Sequence, residues 1–379
     1  MRVETLRRGR RHCRLSPSEE LTKVIYMANR ANRANRAEGA KPPTIYDVAE
    51  LAGVAPSTVS RALARPGRVS SQTAEKVRRA AERLGYGRRA ASPAVGALPT
   101  RLLAIVVADI ANPVFHDVVR GAEAAAEEAG YTVILFDAQE SDTRERRAAE
   151  QFFPAVDGLV LASPRLSDAG IRSIAKQRPL ITLNRQVRGL PSVLTDSARG
   201  TRRAAEHLGG HGHRTLTYVS GPESSWADGM RWRGVQEAGV ELDIRTRRIG
   251  PGAPTVAGGE RAASIWSEAP TTGVICYNDI MAIGFIRSVQ ARGLGVPADV
   301  SVVGFDNSRT GTLTTPALTS VASPLHHQGE MAVKNLIAII RGATSSEEPV
   351  LLPTKLIVRD TTGTAPQGQI LTESISAGG

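Results

Sequence analysis

Between residues 102 and 323 the chain repeats one pattern: a short unbroken apolar run followed by a helix-length amphipathic stretch. The apolar runs 102–108, 132–136, 158–162 and 180–183 alternate with helical patterns at 115–129, 143–153 and 169–177. A second series is predicted to start at 192–194 and to continue through 217–219, 274–276 and 300–304. Continuous apolar runs of strand length suit parallel strands buried on both faces, and their alternation with helices predicts βαβ units. Two such series predict two doubly wound subdomains. Residues 41–87 follow a different pattern, that of three short helices. Thr44 with Asp47 three residues on forms a capping-box start, and Ile45, Val48, Ala49 and Leu51 follow at helical spacing. Gly53 ends this helix, Pro56 suits the first turn of the next, and Ser70 caps a third with the apolar line Ala74, Val77, Ala81 and Leu84. Two helices across a short glycine turn with a bracing third is the helix-turn-helix plan.

Charge sharpens this division. The chain has 379 residues, 48 basic and 37 acidic, for a formal charge of +11. Residues 1–40 carry ten basic and four acidic side chains, and so do residues 41–100, which leaves the rest close to neutral. A basic end on a neutral body suggests a polyanion-binding module joined to a larger domain. Only Cys13 and Cys276 are present, which excludes a disulfide framework or a multi-cysteine zinc site and suits a reducing cytoplasm. No apolar run reaches the roughly 18 residues of a membrane helix, and no apolar segment of signal-peptide type follows the basic N-terminus. Residues 1–40, with ANR three times in succession at 28–36, are expected to be a disordered extension. Residues 88–100 are expected to be a hinge or linker, 101–361 the larger α/β domain, and 362–379 a disordered tail. The first subdomain is expected at 101–184 and 324–343, the second at 185–323 and 350–360.

Several stretches together resemble the lactose/galactose-repressor (LacI/GalR) family of bacterial transcription regulators. TIYDVAELAGVAPSTVSRAL (44–63) is similar to that family's helix-turn-helix and VSSQTAEKVRRAAERLGY (69–86) to its third helix. NPVF (112–115), VDGLVL (156–161), RWRGVQEAG (231–239), YNDIMAIG (277–284), VPADVSVVGFDN (296–307) and PALTSV (316–321) follow in the family's order. The resemblance implies an all-α DNA-binding domain followed by an α/β domain like periplasmic sugar-binding proteins, with two doubly wound parallel-sheet subdomains crossed three times by the chain. It implies a cytoplasmic, nucleoid-associated regulator, most simply a repressor. Such a regulator binds double-stranded DNA at a near-palindromic operator as a homodimer or higher oligomer, under control of a small effector, by default a carbohydrate. The dimer contact is expected to use helices of both subdomains, including 328–340.

In this setting Ser57, Thr58, Ser60 and Arg61 point outward from the recognition helix, and Arg61 suits bidentate bonds to guanine. Thr44, Tyr46, Ser60 and Thr73 suit phosphate contacts. By resemblance the variable base-reading positions are Pro56 and Ser57, where Pro56 reads by van der Waals contact alone. The linker departs from the family pattern. Arg88 and Arg89 replace a Pro-Asn step, Pro93 falls inside the expected hinge helix, and Val95 stands near the position of an apolar wedge. Arg88 and Arg89 could supply phosphate or minor-groove contacts instead.

Ligands of open α/β sheets bind beyond the carboxyl ends of the strands. The candidates there are Asp109, Asn112, Asn184, Arg185, Asn278, Asp279, Asp306 and Asn307, with Arg231 on a following helix and Phe115 as the aromatic face. By resemblance Phe115, Asn184, Arg231, Asp279 and Asp306 match effector-contacting positions. The loops 224–227 and 251–255 depart from sugar-binding members in polarity and in lacking a ring-stacking aromatic. The HLGGHGHR stretch with His207, His211 and His213 lacks acidic or cysteine partners, no glycine stretch has a dinucleotide-binding context, and no nucleophile elbow is present. No metal, cofactor or enzymatic activity is therefore expected. A solute receptor of a transport system would share the cleft but not the helix-turn-helix, and a regulator answering to a non-sugar ligand is the other alternative.

Overall fold

The structure, a computed structural model, describes residues 44–64, 69–84, 99–152 and 155–366. The chain forms two compact units, Met1–Ser92 and Pro93–Gly379. The first contains helices α1 (Ile45–Ala52), α2 (Pro56–Ala64) and α3 (Ser71–Leu84). The Asp47 carboxylate accepts the Thr44 backbone N–H at 2.6 Å and its hydroxyl at 2.7 Å, which fixes the start of α1. These bonds hold the Asp47 carboxyl below its ordinary pKa, the backbone N–H of Thr44 contributing most. Gly53 closes α1 in the left-handed region (φ 65°), as its glycine predicted. The core of this unit is Val48, Ala49, Val59, Ala62, Val77, Ala80 and Ala81. Leu51, expected inside, is 43% exposed. One turn of α1 beyond Val48 its side chain falls off the stripe that faces α2 and α3.

The second unit holds two six-stranded sheets. The first is ordered β11-β5-β4-β3-β1-β2, with β1 Leu102–Val107, β2 Thr132–Asp137, β3 Gly158–Ala162, β4 Leu180–Leu183, β5 Ser192–Thr195 and β11 Val350–Leu352, all parallel. The second is ordered β12-β10-β9-β8-β6-β7, with β6 Thr215–Val219, β7 Arg245–Ile249, β8 Gly273–Cys276, β9 Ser301–Asp306, β10 Thr319–Ala322 and β12 Lys355–Ile357. Only β12 runs antiparallel to its neighbour. Helices α4 (Val114–Glu128), α5 (Asp142–Phe152), α6 (Asp168–Ala175) and α11 (Leu325–Ile340) flank the first sheet. Helices α7 (Ser197–Gly210), α8 (Trp226–Glu241), α9 (Val256–Trp266) and α10 (Asp279–Gln290) flank the second. Among the described residues no helix is long and apolar enough to cross a membrane.

The topology corrects two expected boundaries. The run at 192–195 does not open the second series: it is β5, hydrogen-bonded to β4 in the first sheet. Residues 350–360 are divided, β11 completing the first sheet and β12 the second. The chain therefore crosses between sheets after β5, after β10 and after β11. These crossings are bonded to one another. The Asn184 side-chain oxygen accepts the Thr195 N–H at 3.1 Å and the Gln328 amide at 2.8 Å. Asp196 donates its N–H to Leu352 at 2.9 Å and accepts at its carbonyl the Thr354 hydroxyl at 3.3 Å.

Helix α11 was expected to contribute to a dimer contact through its apolar residues. Instead Val333, Leu336 and Ile337 are buried in the core of their own subdomain, with Met331 and Ile340 packed at its edge. The helix lies against α4 so closely that a methyl group on Gly121 would overlap the His326 carbonyl, and one on Gly329 the Val118 carbonyl. Two more helix pairs meet the same way, α7–α8 at Gly234 against Ala198, and α9–α10 at Gly259 and Gly284 against Met281 and Val256. His213, fully buried, bonds Thr272, Ser301 and Gly363 and so ties the 361–365 segment to the second sheet, which corrects the expectation that a disordered tail begins at residue 362. In an exposed helix Gly→Ala gains up to about 1 kcal/mol. Here the overlap reverses the sign, so Gly329→Ala should cost about 1–3 kcal/mol, read as a lowered denaturant midpoint at unchanged m-value.

Candidate functional site

Two regions carry the candidate chemistry, one in each unit. In the first unit Ser57, Ser60 and Arg61 are exposed along one side of α2, Pro56 and Thr58 are half-buried, and Tyr46 is 69% exposed on α1. Arg61 has no ion-pair partner among the described residues, so its fork of N–H donors is free to meet a base edge. Two hydroxyls expected to meet phosphate are already bonded. That of Thr44 donates to Asp47, and that of Thr73 pairs with Ser70 at 2.8 Å, where Ser70 caps α3 by accepting the Thr73 N–H at 3.2 Å. Arg88, Arg89 and Val95, and with them the hinge, lie outside the described residues.

In the second unit a cleft opens where the carboxyl ends of the two sheets face each other. Asn112, Phe115, Glu140, Ser163, Arg165, Asn184 and Gln328 line it from the first subdomain, and Ala227, Arg231, Pro254, Tyr277 and Asp306 from the second. Each sheet reverses its strand order beside the cleft, at β1/β3 and at β6/β8, the switch points where ligands of such sheets bind. Four lining residues, Glu140, Ser163, Asn184 and Asp306, have positive φ angles of 57°, 56°, 50° and 103°. Ser163 and Asn184 directly follow β3 and β4, Asp306 ends β9, and Glu140 lies three residues past β2. Backbone strain of this kind collects where a scaffold must aim a side chain.

Arg231 reaches the cleft from α8. Its guanidinium donates to the Tyr277 carbonyl and, at 3.4 Å, to Asp306, lies 3.6 Å from the Phe305 ring centroid, and leaves Nε buried without a partner. Burial pushes the Asp306 carboxyl up to about 7, Arg231 pulling against it and Asp279 reinforcing it. On the opposite wall the Glu145 carboxylate, 1% exposed, accepts the N–H groups of Arg165 at 2.7 Å and Leu166 at 3.0 Å. Burial raises it to about 7 although those N–H donors oppose the shift. Glu145 thereby holds the 163–166 loop that carries Arg165.

Asn112, Phe115, Asn184, Arg231 and Asp306 are brought together in the cleft lining, but the other expected residues are turned elsewhere. Arg185 points to the first turn of α6, pairing with Asp168 at 2.8 Å, because the left-handed turn at Asn184 sends the next side chain to the far side. Asn278 caps α10 by accepting the Met281 N–H at 3.0 Å. Asp279 is buried beneath the cleft and accepts the Ser308 N–H at 2.6 Å and hydroxyl at 2.9 Å and the Ser320 hydroxyl at 2.6 Å. It holds the loop after β9, and burial raises its carboxyl to about 6 against those bonds. The amide of Asn184 lines the cleft but is engaged in the crossings. Asp109 accepts the Ala111 N–H in a turn, and Asn307 accepts Arg359. Sequence reasoning missed Glu140, Ser163, Arg165, Pro254 and Tyr277. Ser163 and Tyr277 carried a usable signal, their place directly after β3 and β8, and Arg165 lies three residues past β3. Among the described residues no group of three or more His, Cys, Asp or Glu is placed to hold a metal.

Comparison with known proteins agrees with both regions. Residues 44–88 match the lacI family of bacterial regulatory proteins, and residues 205–362 match the periplasmic binding protein-like domain. The transcriptional repressor CytR of Escherichia coli K12 is 30% identical over 333 residues, covering 85% of this chain and 97% of its own. The solved complex of the transcriptional regulator CelR with cellobiose is 28% identical with a TM-score of 0.64, covering 84% of this chain and 99% of its own. The lac repressor dimer bound to operator and the anti-inducer ONPF is 27% identical with a TM-score of 0.65, covering 85% of this chain and all of its own. The chain belongs to the LacI/GalR family of bacterial transcriptional regulators.

Proposed function

We propose that this protein is a transcriptional repressor whose operator affinity is set by a small carbohydrate bound between the subdomains of its second unit, and that it is a DNA-bound regulator of the cytoplasm and not an enzyme. One observation carries the reading. A single chain joins a helix-turn-helix with a free Arg61 to a cleft at two switch points, lined by a buried Arg, carboxylates and an aromatic. Arginine and carboxylate side chains in a dry cleft bond sugar hydroxyls in pairs, while Phe115 covers an apolar ring face. The cellobiose complex of CelR supports a carbohydrate, and the operator-bound lac repressor dimer supports a homodimer on duplex DNA.

The mechanism is a coupling between two sites. A ligand that bridges the subdomains favours the closed cleft, and closure alters how the two reading units of a dimer are spaced. Two recognition helices must enter major grooves about 34–36 Å apart, so the operator should be a near-palindrome. The ligand shifts operator affinity only by its preference for one state, typically about 1–3 kcal/mol.

Selection of bound duplexes from a random pool, with and without a panel of sugars, tests the reading. An enriched near-palindrome whose recovery changes with one sugar is expected, and a pool without enrichment overturns it. Within the selected operator, Arg61→Ala should weaken binding by about 1–3 kcal/mol and relax one base position per half-site. Replacement of an exposed side chain that made only phosphate contact would instead lower affinity for all sequences alike. For the effector, Asp306 accepts hydroxyl protons at both carboxyl oxygens only while ionised, and protonation turns one of them into a donor. Its carboxyl lies near 7, so effector affinity should be full above about pH 8 and weaken as pH drops below 7, by at most about tenfold per unit. Asp306→Asn should flatten that profile in calorimetric titrations.

A further inference from the structure

We propose that Arg165 is a specificity residue of the cleft, giving two N–H groups to adjacent hydroxyls of an uncharged sugar. The proposal rests on the cleft being the effector site. A guanidinium has five N–H donors. Those of Arg165 are engaged at Nε and Nη2 by the two carboxylate oxygens of Glu140, at 2.5 and 3.0 Å, and at Nη1 by the Ser163 carbonyl at 2.9 Å. Three donors are thereby satisfied. One remains on each Nη, in the plane of a side chain that is only 4% exposed and lines the cleft. Desolvation works against the cation, yet the Glu140 carboxylate bonded to it, with Glu145 nearby, outweighs that cost and keeps the group charged at any ordinary pH. Arg165 shares the cleft lining with Tyr277 of the other subdomain, so it faces the cleft and not its own wall.

Held from behind by Glu140 and through its backbone by Glu145, this fork is pre-organised, as a flexible ammonium would not be. Its two remaining N–H groups call for two oxygens side by side, the arrangement of a vicinal diol, a carboxylate or a phosphate. Charge decides among them. Glu140 pairs with Arg165 and Asp306 pairs with Arg231, so while Asp306 is ionised the two pairs cancel and an anionic ligand meets no net positive charge. A neutral diol meets two donors that otherwise stay buried and unpaired. A sugar lacking one of those hydroxyls leaves such a donor unsatisfied, which is the strongest form of discrimination a polar site offers.

The full chain and the variants Arg165→Lys and Arg165→Gln should be titrated by calorimetry with D-ribose, D-glucose, cellobiose, the 2-deoxy and 3-deoxy forms of the first two, and D-ribose 5-phosphate. The wild type is expected to bind one neutral sugar and to lose at least tenfold for one of its deoxy forms. Both variants should bind that sugar at least tenfold more weakly, keep operator binding, and lose little further for the deoxy form. The vanishing deoxy penalty is the signature that a merely structural role would not produce. A deoxy penalty as large in Arg165→Lys as in the wild type overturns the assignment, and so does tighter binding of the phosphate ester. If the wild type binds no member of the panel, the carbohydrate reading itself falls, and the role of Arg165 with it. Sugar binding unchanged in both variants leaves that reading standing and removes only Arg165.

Discussion

Three crossings between two sheets set the terms on which this molecule works. At each crossing the backbone leaves one hydrogen-bonded ladder before it joins the next, and its N–H and C=O groups must be satisfied by something else. Asn184, Thr195 and Gln328 supply one set of partners, Asp196, Leu352 and Thr354 another. These bonds join the ends of β5 and β11 to the segments that follow them and to α11. The segments that join the two subdomains are thus bonded to one another by a small polar assembly, and Asn184, which belongs to it, also lines the cleft together with Gln328.

The cleft walls follow a common construction. Strand ends at β2, β3, β4 and β9 turn through left-handed residues, and the turned side chains converge. Behind them sit carboxylates that no ligand reaches: Glu145 under the 163–166 loop, and Asp279 under the loop after β9. Each collects N–H or O–H donors from the segment it supports and titrates above its ordinary range because burial outweighs those donors. The residues that meet a ligand are thus fixed by charged groups one layer deeper, which satisfy backbone that the strained turns leave open.

This construction explains what was legible in the sequence. Unbroken apolar runs announced parallel strands, and their alternation with amphipathic stretches announced both sheets. The assignment of 192–195 and 350–352 failed because a strand's sheet depends on crossings that leave no local periodicity. Helix α1 was legible from Thr44, Asp47 and Gly53, whose side chains act within one turn of themselves. In the cleft, Asp306 was marked by its place at a strand end and Arg231 by the helix that follows one, and the family resemblance pointed to both. Asn278 and Asp279 were overread, since the same residue types that bind sugars also cap helices and hold loops. Arg165 was passed over because its value comes from Glu140, Glu145 and Tyr277, none of them near it in the chain.

The glycine contacts between α4 and α11, α7 and α8, and α9 and α10 bear on how a signal travels. Helices that touch backbone to backbone have no side-chain cushion between them. A push on one is passed to its partner with little loss to rotamer adjustment. Motion within such a pair is therefore costly, and movement between the subdomains falls to the three segments that join them.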